Sequence, residues 1–590
     1  QNLDMLTKGL KLTAMYAFDV YNEIHVHQDR AESTYNFLDT SVPYDMNGQP
    51  ILQRIYEGSN VLSYKQETSG NKKTYLEASL NYDRTFNDDH RVSALFLFNQ
   101  QSKLLYPKGT LEDAIPYRMM GIAGRATYSR TDRYFAEFNI GYNGAENFSP
   151  KHRFGTFPAF GVGWVVSNEK FWQPLSKAVS FLKIRYTDGK VGNSEVSDRR
   201  FMYLDQMKEN GDYGYKFGPN GTKWAGYETV NMAVDLIWEE SRKQDLGIDL
   251  KLFNDDLSIV FDLFKERREN ILLKREHSMP SFLGYNTSAP YGNIGIIENK
   301  GFDGTIEYNK RINKDWVIAL RGNVTFNKDK WIQGELPEQK YEWMNQYGRN
   351  INGAKGYVAE GLFTQAEIDD MARWESLSAA NKAITPKPFA SQFGTVKAGD
   401  IKYKDLNNDG QIDAYDQTYI SRGDVPTTVY GFGFTVGWKD LSVGMMFQGV
   451  AGAERVLNGS SINPFNGGGG SGNLYSNIDD RWTEENPDQN AFYPRLSYGS
   501  ETTSSINNFQ KSTWWVRNMN FLRLKTLQLS YNLPKPWVNK VHLKNAAVYV
   551  MGTNLFTLSR FKLWDPELNT DNGASYPNTT SYSVGINFTF

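Results

Sequence analysis

The 590 residues are 40% hydrophobic, 14% aromatic and 22% charged, and 65 basic side chains stand against 67 acidic ones for a net charge of −2. That balance gives no electrostatic footprint for nucleic acid, and the absence of cysteine excludes a disulfide scaffold, a thiolate zinc site and a cysteine nucleophile. No apolar run reaches the about 18 residues of a membrane-crossing helix, yet a mean hydropathy of −0.57 coexists with 35 Tyr, 35 Phe and 14 Trp. Transmembrane β-strands reconcile the two, because alternation hides the lipid-facing half of each strand from hydropathy averages.

The chain opens Gln1-Asn2-Leu3 with no basic or apolar leader, so an exported protein has lost its targeting segment or the sequence is a fragment. From there the repeating signal has period two. In Leu10–Val20 the even positions are apolar while Lys11, Thr13 and Asp19 lie among the odd ones; Leu76, Ala78, Leu80 and Tyr82 alternate with Glu77, Ser79, Asn81 and Asp83 in Tyr75–Phe86. Similar stretches follow at 91–100, 121–130, 134–143, 156–166, 180–189, 244–253, 257–265, 301–311, 316–326, 430–438, 441–449, 521–531, 546–554 and 582–590. These make about sixteen candidates of roughly 9–11 residues, the span of a tilted membrane strand.

Short polar turns (87–90, 131–133, 254–256, 313–314, 439–440) alternate with long excursions near 28–72, 101–120, 189–241, 266–298, 327–428, 450–518 and 556–580. A barrel with short periplasmic turns and long external loops keeps this parity. Structureless loops of such length argue against an ordinary compact domain, and a soluble array of β-sandwiches is the competing reading. The last strand, Tyr582–Phe590, alternates and ends on an aromatic residue; Phe590 is the candidate terminal signal for outer-membrane assembly. In a soluble fold the same strand would be an aggregation-prone apolar edge.

The sharpest local motif lies in the 327–428 loop. Asp405, Asn407, Asp409, Asp413 and Asp416 stand at positions 1, 3, 5, 9 and 12 of a twelve-residue loop, with Gly410 at the sharp turn and the Gln411 carbonyl at position 7. This is the oxygen-ligand spacing of an EF-hand calcium loop, although Asp416 replaces the usual Glu. No helix pair flanks it, so Ca2+ there is expected to be structural, holding a segment that lacks a core of its own. An ion-free Asp/Asn/Gly turn has the same composition. His25 and His27 share a strand face at a metal-compatible spacing, without a third ligand to name. The Gly467–Gly472 run lacks the strand–helix context of a phosphate loop and reads as flexible. Trp224, Tyr227, Trp343, Tyr347, Trp482 and Tyr493 are candidates for stacking on a ligand, or for loop packing and lipid-interface girdles. No nucleotide, hydrolase or zinc-protease motif is present, so no enzyme is expected and no catalytic residue can be named.

Several runs in order carry a family resemblance: Met120–Ser129 leading through Asp132-Arg133-Tyr134 to Phe154–Trp164, then Trp238-Glu239-Glu240 and Glu298–Phe302. Gly399-Asp400-Ile401 before the calcium-like loop, Trp482–Pro487, Gly552–Phe556 and Asp565-Pro566-Glu567 complete the set. Nearly the whole chain, 1–590, resembles the C-terminal barrel portion of SusC/RagA-type TonB-dependent transporters of Bacteroidetes. The resemblance implies an all-β, antiparallel transmembrane barrel of the outer membrane, importing oligosaccharide or peptide. It implies a SusD-like surface lipoprotein as partner, and TonB acting through a plug domain. Plug, TonB box and signal peptide are not recognisable here. With about 22 strands in a plugged barrel of this size class, about sixteen suggest a start inside the barrel. A passive porin and a surface-binding adhesin barrel are the alternatives, and loops 189–241, 327–428 and 450–518 are candidates for contact with the cap. Which substrate is bound, and by which residues, is not legible.

Overall fold

The computed structural model describes all residues except 1, 39–40, 108–110, 196–199, 217, 220, 222, 281, 283–288, 460–461, 464–473 and 498–505. Sixteen strands form one antiparallel sheet in which each is hydrogen-bonded to its neighbours in chain order. They are β1 (Leu10–His27), β2 (Lys65–Phe86), β3 (His90–Tyr106), β4 (Tyr117–Arg130), β5 (Tyr134–Ala145), β6 (Phe154–Val165), β7 (Val179–Asn193) and β8 (Glu239–Leu252). The second half comprises β9 (Leu257–Lys274), β10 (Tyr291–Arg311), β11 (Trp316–Gln333), β12 (Thr428–Trp438), β13 (Leu441–Ala451), β14 (Phe521–Asn532), β15 (Asn545–Ser559) and β16 (Ser581–Thr589). All sixteen expected stretches coincide with these strands, three of them (156–166, 244–253 and 582–590) running one residue past the strand end.

Lengths differ from expectation: β2 has 22 residues and β10 has 21. The surplus lies at the long-connection end, where runs such as Lys65–Thr74 and Glu266–Asn270 are polar on both faces. Backbone pairing continues there without one-sided burial, so no alternation marks it in the sequence. At the opposite end the connections are tight turns. Positive φ at Asn87 and Asp88, and at Thr131 and Asp132, matches the primed turns that follow strand twist.

The chain divides into two compact units. In the first, β1 and β2 pair with Leu12 opposite Leu80 and Ala14 opposite Ala78. Away from that ladder, Trp238 packs against Phe148 and Phe157 at 4.9 and 5.2 Å and donates its indole N–H to the His152 carbonyl. Buried Arg200 ties the same unit together, donating to the Ile115 and Pro116 carbonyls and lying over the Tyr117 ring at 3.9 Å.

The second unit holds β7 to β16 together with 129–137 and 159–178. Its register lines up one apolar row: Leu246 opposite Leu263, Leu263 opposite Phe302, Phe302 opposite Phe326. Leu263 on this row and Leu320 on the same face are 48% and 46% exposed, far more than a water-soluble sheet leaves bare. The opposite face is polar: Arg185 meets Asp245, Asp249 and Asp262 at 3.2, 3.4 and 2.7 Å. Near the short turns, Trp316 and Trp438 pair at 6.2 Å, and Glu169 accepts hydrogen bonds from Tyr134 and from Trp164. Apolar rows ending in amphipathic aromatics are what a bilayer edge selects. Among the described residues no helix is long and apolar enough to cross a membrane.

Candidate functional site in the loop lobe

Within the second unit, the connections β11–β12, β13–β14 and β15–β16 leave the same end of their strands and fold on one another. The expectation that the 327–428 segment lacks a core is overturned. Ile401, Tyr403, Leu457, Ile462, Tyr493 and Trp515 are each no more than 2% exposed and belong to one hydrophobic cluster. Three short ladders frame it: Ala354–Gly356 with Thr418–Ser421, Ala359–Leu362 with Ile401–Tyr403, and Glu454–Val456 with Val516–Asn518. A helix, Gln365–Glu375, starts at a reciprocal capping box of Thr364 and Glu367. Sequence periodicity misses this lobe because its strands are three or four residues long and its core is assembled from segments as far apart in the chain as Tyr357 and Phe561.

A buried polar network stitches these segments. Asp400, without solvent exposure, accepts from Arg495 Nε at 3.1 Å, Asn508 Nδ2 at 2.9 Å and the Lys397 amide at 2.8 Å. Asn508 in turn accepts from the Ile401 amide, and Asn507 donates to the Ile401 carbonyl. Burial pushes the Asp400 carboxyl above its ordinary pKa, with Arg495 opposing. Burial raises Tyr493 to about 12 and Tyr403 further still. Gly399 has φ +83°, and a Cβ there would lie 2.2 Å from Trp482 Cδ2. Two of the resemblance motifs, Gly399-Asp400-Ile401 and the run from Trp482, therefore meet in space.

The 405–416 loop rests against this core. Ile412 is buried in it, and Ser391 brackets the turn through bonds to the Gly410 carbonyl and the Ile412 amide. Asn408 and Gly410 take φ +57° and +83°, which the sharp turn requires. Both Asp416 oxygens accept backbone amides, from Leu406 at 2.8 Å and Asp413 at 2.9 Å, and the residue is fully buried. Burial first, then the charge of Asp405, pushes Asp416 above its ordinary pKa. Asp405 Oδ2 takes the Gly410 amide while its Oδ1 is buried without a partner. An orphaned carboxylate oxygen beside a second buried carboxylate fits a hard cation. Among the described residues no three carboxylates or imidazoles are gathered as a ready-made cluster. A cation here therefore depends also on the Asn407 amide and the Gln411 carbonyl, oxygens typical of calcium loops.

The remaining expected positions separate clearly. Trp482 and Tyr493 are core residues at 6% and 1% exposure, so loop packing is their role. Trp343 stacks on Tyr341 at 4.5 Å and donates to the Tyr415 carbonyl; Tyr347 bonds the Leu336 carbonyl at 2.5 Å. His25 and His27 face the same way with ring centroids 6.3 Å apart, His25 pairing with Glu23. Phe590 follows β16 and is exposed. The side chains of Trp224 and Tyr227 and the Gly467–Gly472 run lie outside the described residues. Missed altogether was Arg523, 1% exposed in β14, which is clamped by Asp565 and Glu567. The Asp565-Pro566-Glu567 motif was the available signal, but its partner could not be read from spacing.

A sixteen-stranded meander with one exposed apolar face, aromatics at the short-turn end and a lobe of long loops defines an outer-membrane β-barrel. Within that class the chain resembles the SusC/RagA-type TonB-dependent transporters. It is 26% identical over 507 residues to TonB-dependent receptor P3 of Formosa agariphila, covering 80% of this chain and 45% of that one. Receptor P39 of the same organism is 24% identical, covering 99% and 57%, and SusC of Bacteroides thetaiotaomicron is 23% identical, covering 79% and 43%. The chain thus spans about half the length of the curated relatives it matches. The RagAB peptide transporter superposes with a TM-score of 0.70 at 19% identity, over 99% of this chain and 60% of that one. No protein-family model matches.

Proposed function

We propose that this chain supplies much of the barrel of an outer-membrane importer for oligosaccharides or peptides, energised through TonB and working with a SusD-like surface lipoprotein. The observation that carries this reading is the pairing of a lipid-facing sheet with a folded lobe at its long-loop end. A passive porin needs no such lobe, whereas a transporter that receives its cargo from a cap needs a rigid external surface. Relatives named TonB-dependent receptors and a fold shared with a peptide transporter support the same conclusion. The sheet supplies a lipid-matched exterior and a polar interior face. The loops 327–428 and 450–518, packed into one body, present the surface for cap and cargo. The exposed aromatic Phe590 after β16 is read as part of the assembly signal.

Calcium belongs to this proposal as a structural ion. Asp405, Asn407, Asp409, Asp413, Asp416 and the Gln411 carbonyl would hold it, and its charge would offset the buried Asp416 and the partly buried Asp405. Uptake in the native bacterium provides the test. Deleting TonB should abolish growth on the imported nutrient, and affinity purification of the intact transporter should recover a surface lipoprotein. Uptake that persists unchanged without TonB would return the chain to the porin class.

A further inference from the structure

A cavity of about 540 Å3 opens in the lobe between four separate stretches, 475–477, Phe492, 516–518 and 560–563. Its volume lies within the about 300–1,000 Å3 of small-molecule sites. Every charged side chain in its lining is a cation: Arg517, Arg560 and Lys562. None of the three is ion-paired with a described residue. The nearby acids are already engaged. Asp565 and Glu567 clamp Arg523, and Asp424 and Asp571 hold Arg455 at 3.2 and 3.0 Å. Asp480 lines a neighbouring groove that Arg517 and Phe492 also border; its charge partly offsets that of Arg517, but it forms no ion pair with it and accepts the Phe492 amide at 3.0 Å.

Arg517 is also fixed in place. Its guanidinium lies over the Phe492 ring at 4.6 Å and donates to the Trp514 and Val516 carbonyls at 2.5 and 3.0 Å. Those neutral partners orient the charge without cancelling it. A half-buried cation without an ion-pair partner, only partly offset by Asp480 and set beside two further cations, is stabilised when an anion arrives. The planar guanidinium forks suit carboxylate and sulfate oxygens, while the Phe492 ring offers apolar surface to the adjoining part of the same ligand.

We propose that this cavity binds a carboxylate or sulfate group on the molecule that the lobe receives. The inference rests on the importer reading and narrows its substrate class to anionic cargo. Two sources share the chemistry: an oligosaccharide bearing uronate or sulfate, and an acidic peptide.

Binding to the purified full chain in detergent tests it, using calorimetry with trigalacturonate against maltotriose, and tri-aspartate against tri-asparagine. At least one acidic probe should bind about tenfold or more tightly than its neutral counterpart, weaken as salt is raised, and reveal by its identity whether sugar or peptide is preferred. The double variant R560Q/K562Q should erase that preference. Both side chains are exposed and outside the core, so the variant keeps its fold, checked by its heat-modifiable mobility. Equal binding of acidic and neutral probes, no binding of either acidic probe, or a preference that survives R560Q/K562Q would each overturn the proposal. The measurement involves neither TonB nor transport, so its failure is distinct from failure of the importer reading.

Discussion

Arg523 concentrates more electrostatic dependence than any surface pair in the lobe, because its guanidinium is nearly without solvent and two carboxylates close around it. Removing one member of such a set leaves buried charge uncompensated. Arg523→Met should therefore cost about 3–5 kcal/mol, read as a lowered thermal midpoint of the folded protein in detergent; an unchanged midpoint would mean that Asp565 and Glu567 find water instead. Gly399 tests packing rather than charge. Gly399→Ala places a Cβ against the Trp482 ring in a left-handed backbone, so the Asp400 network must shift. Limited proteolysis within 390–425 should accelerate in this variant, while the strands stay protected.

Among the elements, β9 and β10 separate the two faces most sharply. Leu263 lies on the exposed apolar row and Thr305 on the opposite face. Leu263→Arg should lower the folded yield in outer membranes, at a cost of about 2–4 kcal/mol for a lipid-facing cation, whereas Thr305→Lys should be tolerated. Equal tolerance of both would place water on both faces. The calcium-like loop makes a pH-dependent prediction. Asp400 and Asp416 are held above the ordinary carboxylate range chiefly by burial. At these two carboxyls the native lobe binds more protons than the unfolded chain, so their contribution to stability falls as pH rises from about 4 towards the raised values. A bound cation favours the ionised Asp416. Calcium should accordingly protect the lobe from proteolysis more at about pH 7.5 than at about pH 5, and Asp405→Ala should remove the protection. Indifference to calcium and chelator at both pH values would leave the loop an ion-free turn.

At the scale of the molecule, alternation announced every strand of the sheet, from Leu10 to Thr589, because a lipid face and a polar face impose opposite chemistry on successive residues. Turn chemistry was equally visible: Asn87-Asp88 and Asn254-Asp255 are residues that tolerate positive φ. Strand ends beyond the bilayer were not, since both of their faces see water. Nor was the lobe legible, although Gly399, Asp400, Trp482, Asp565 and Glu567 all stood out as motif residues. Their meaning lies in contacts such as Gly399 with Trp482 and Arg523 with Asp565, between positions separated by tens of residues. The amino-acid order by itself determined the sheet, its two faces and the calcium-like spacing, all set by neighbours within a few residues. Only tertiary structure decided that the long connections share one core and that Arg517, Arg560 and Lys562 converge without an ion-pair partner. Long-range convergence leaves no periodic trace along a chain.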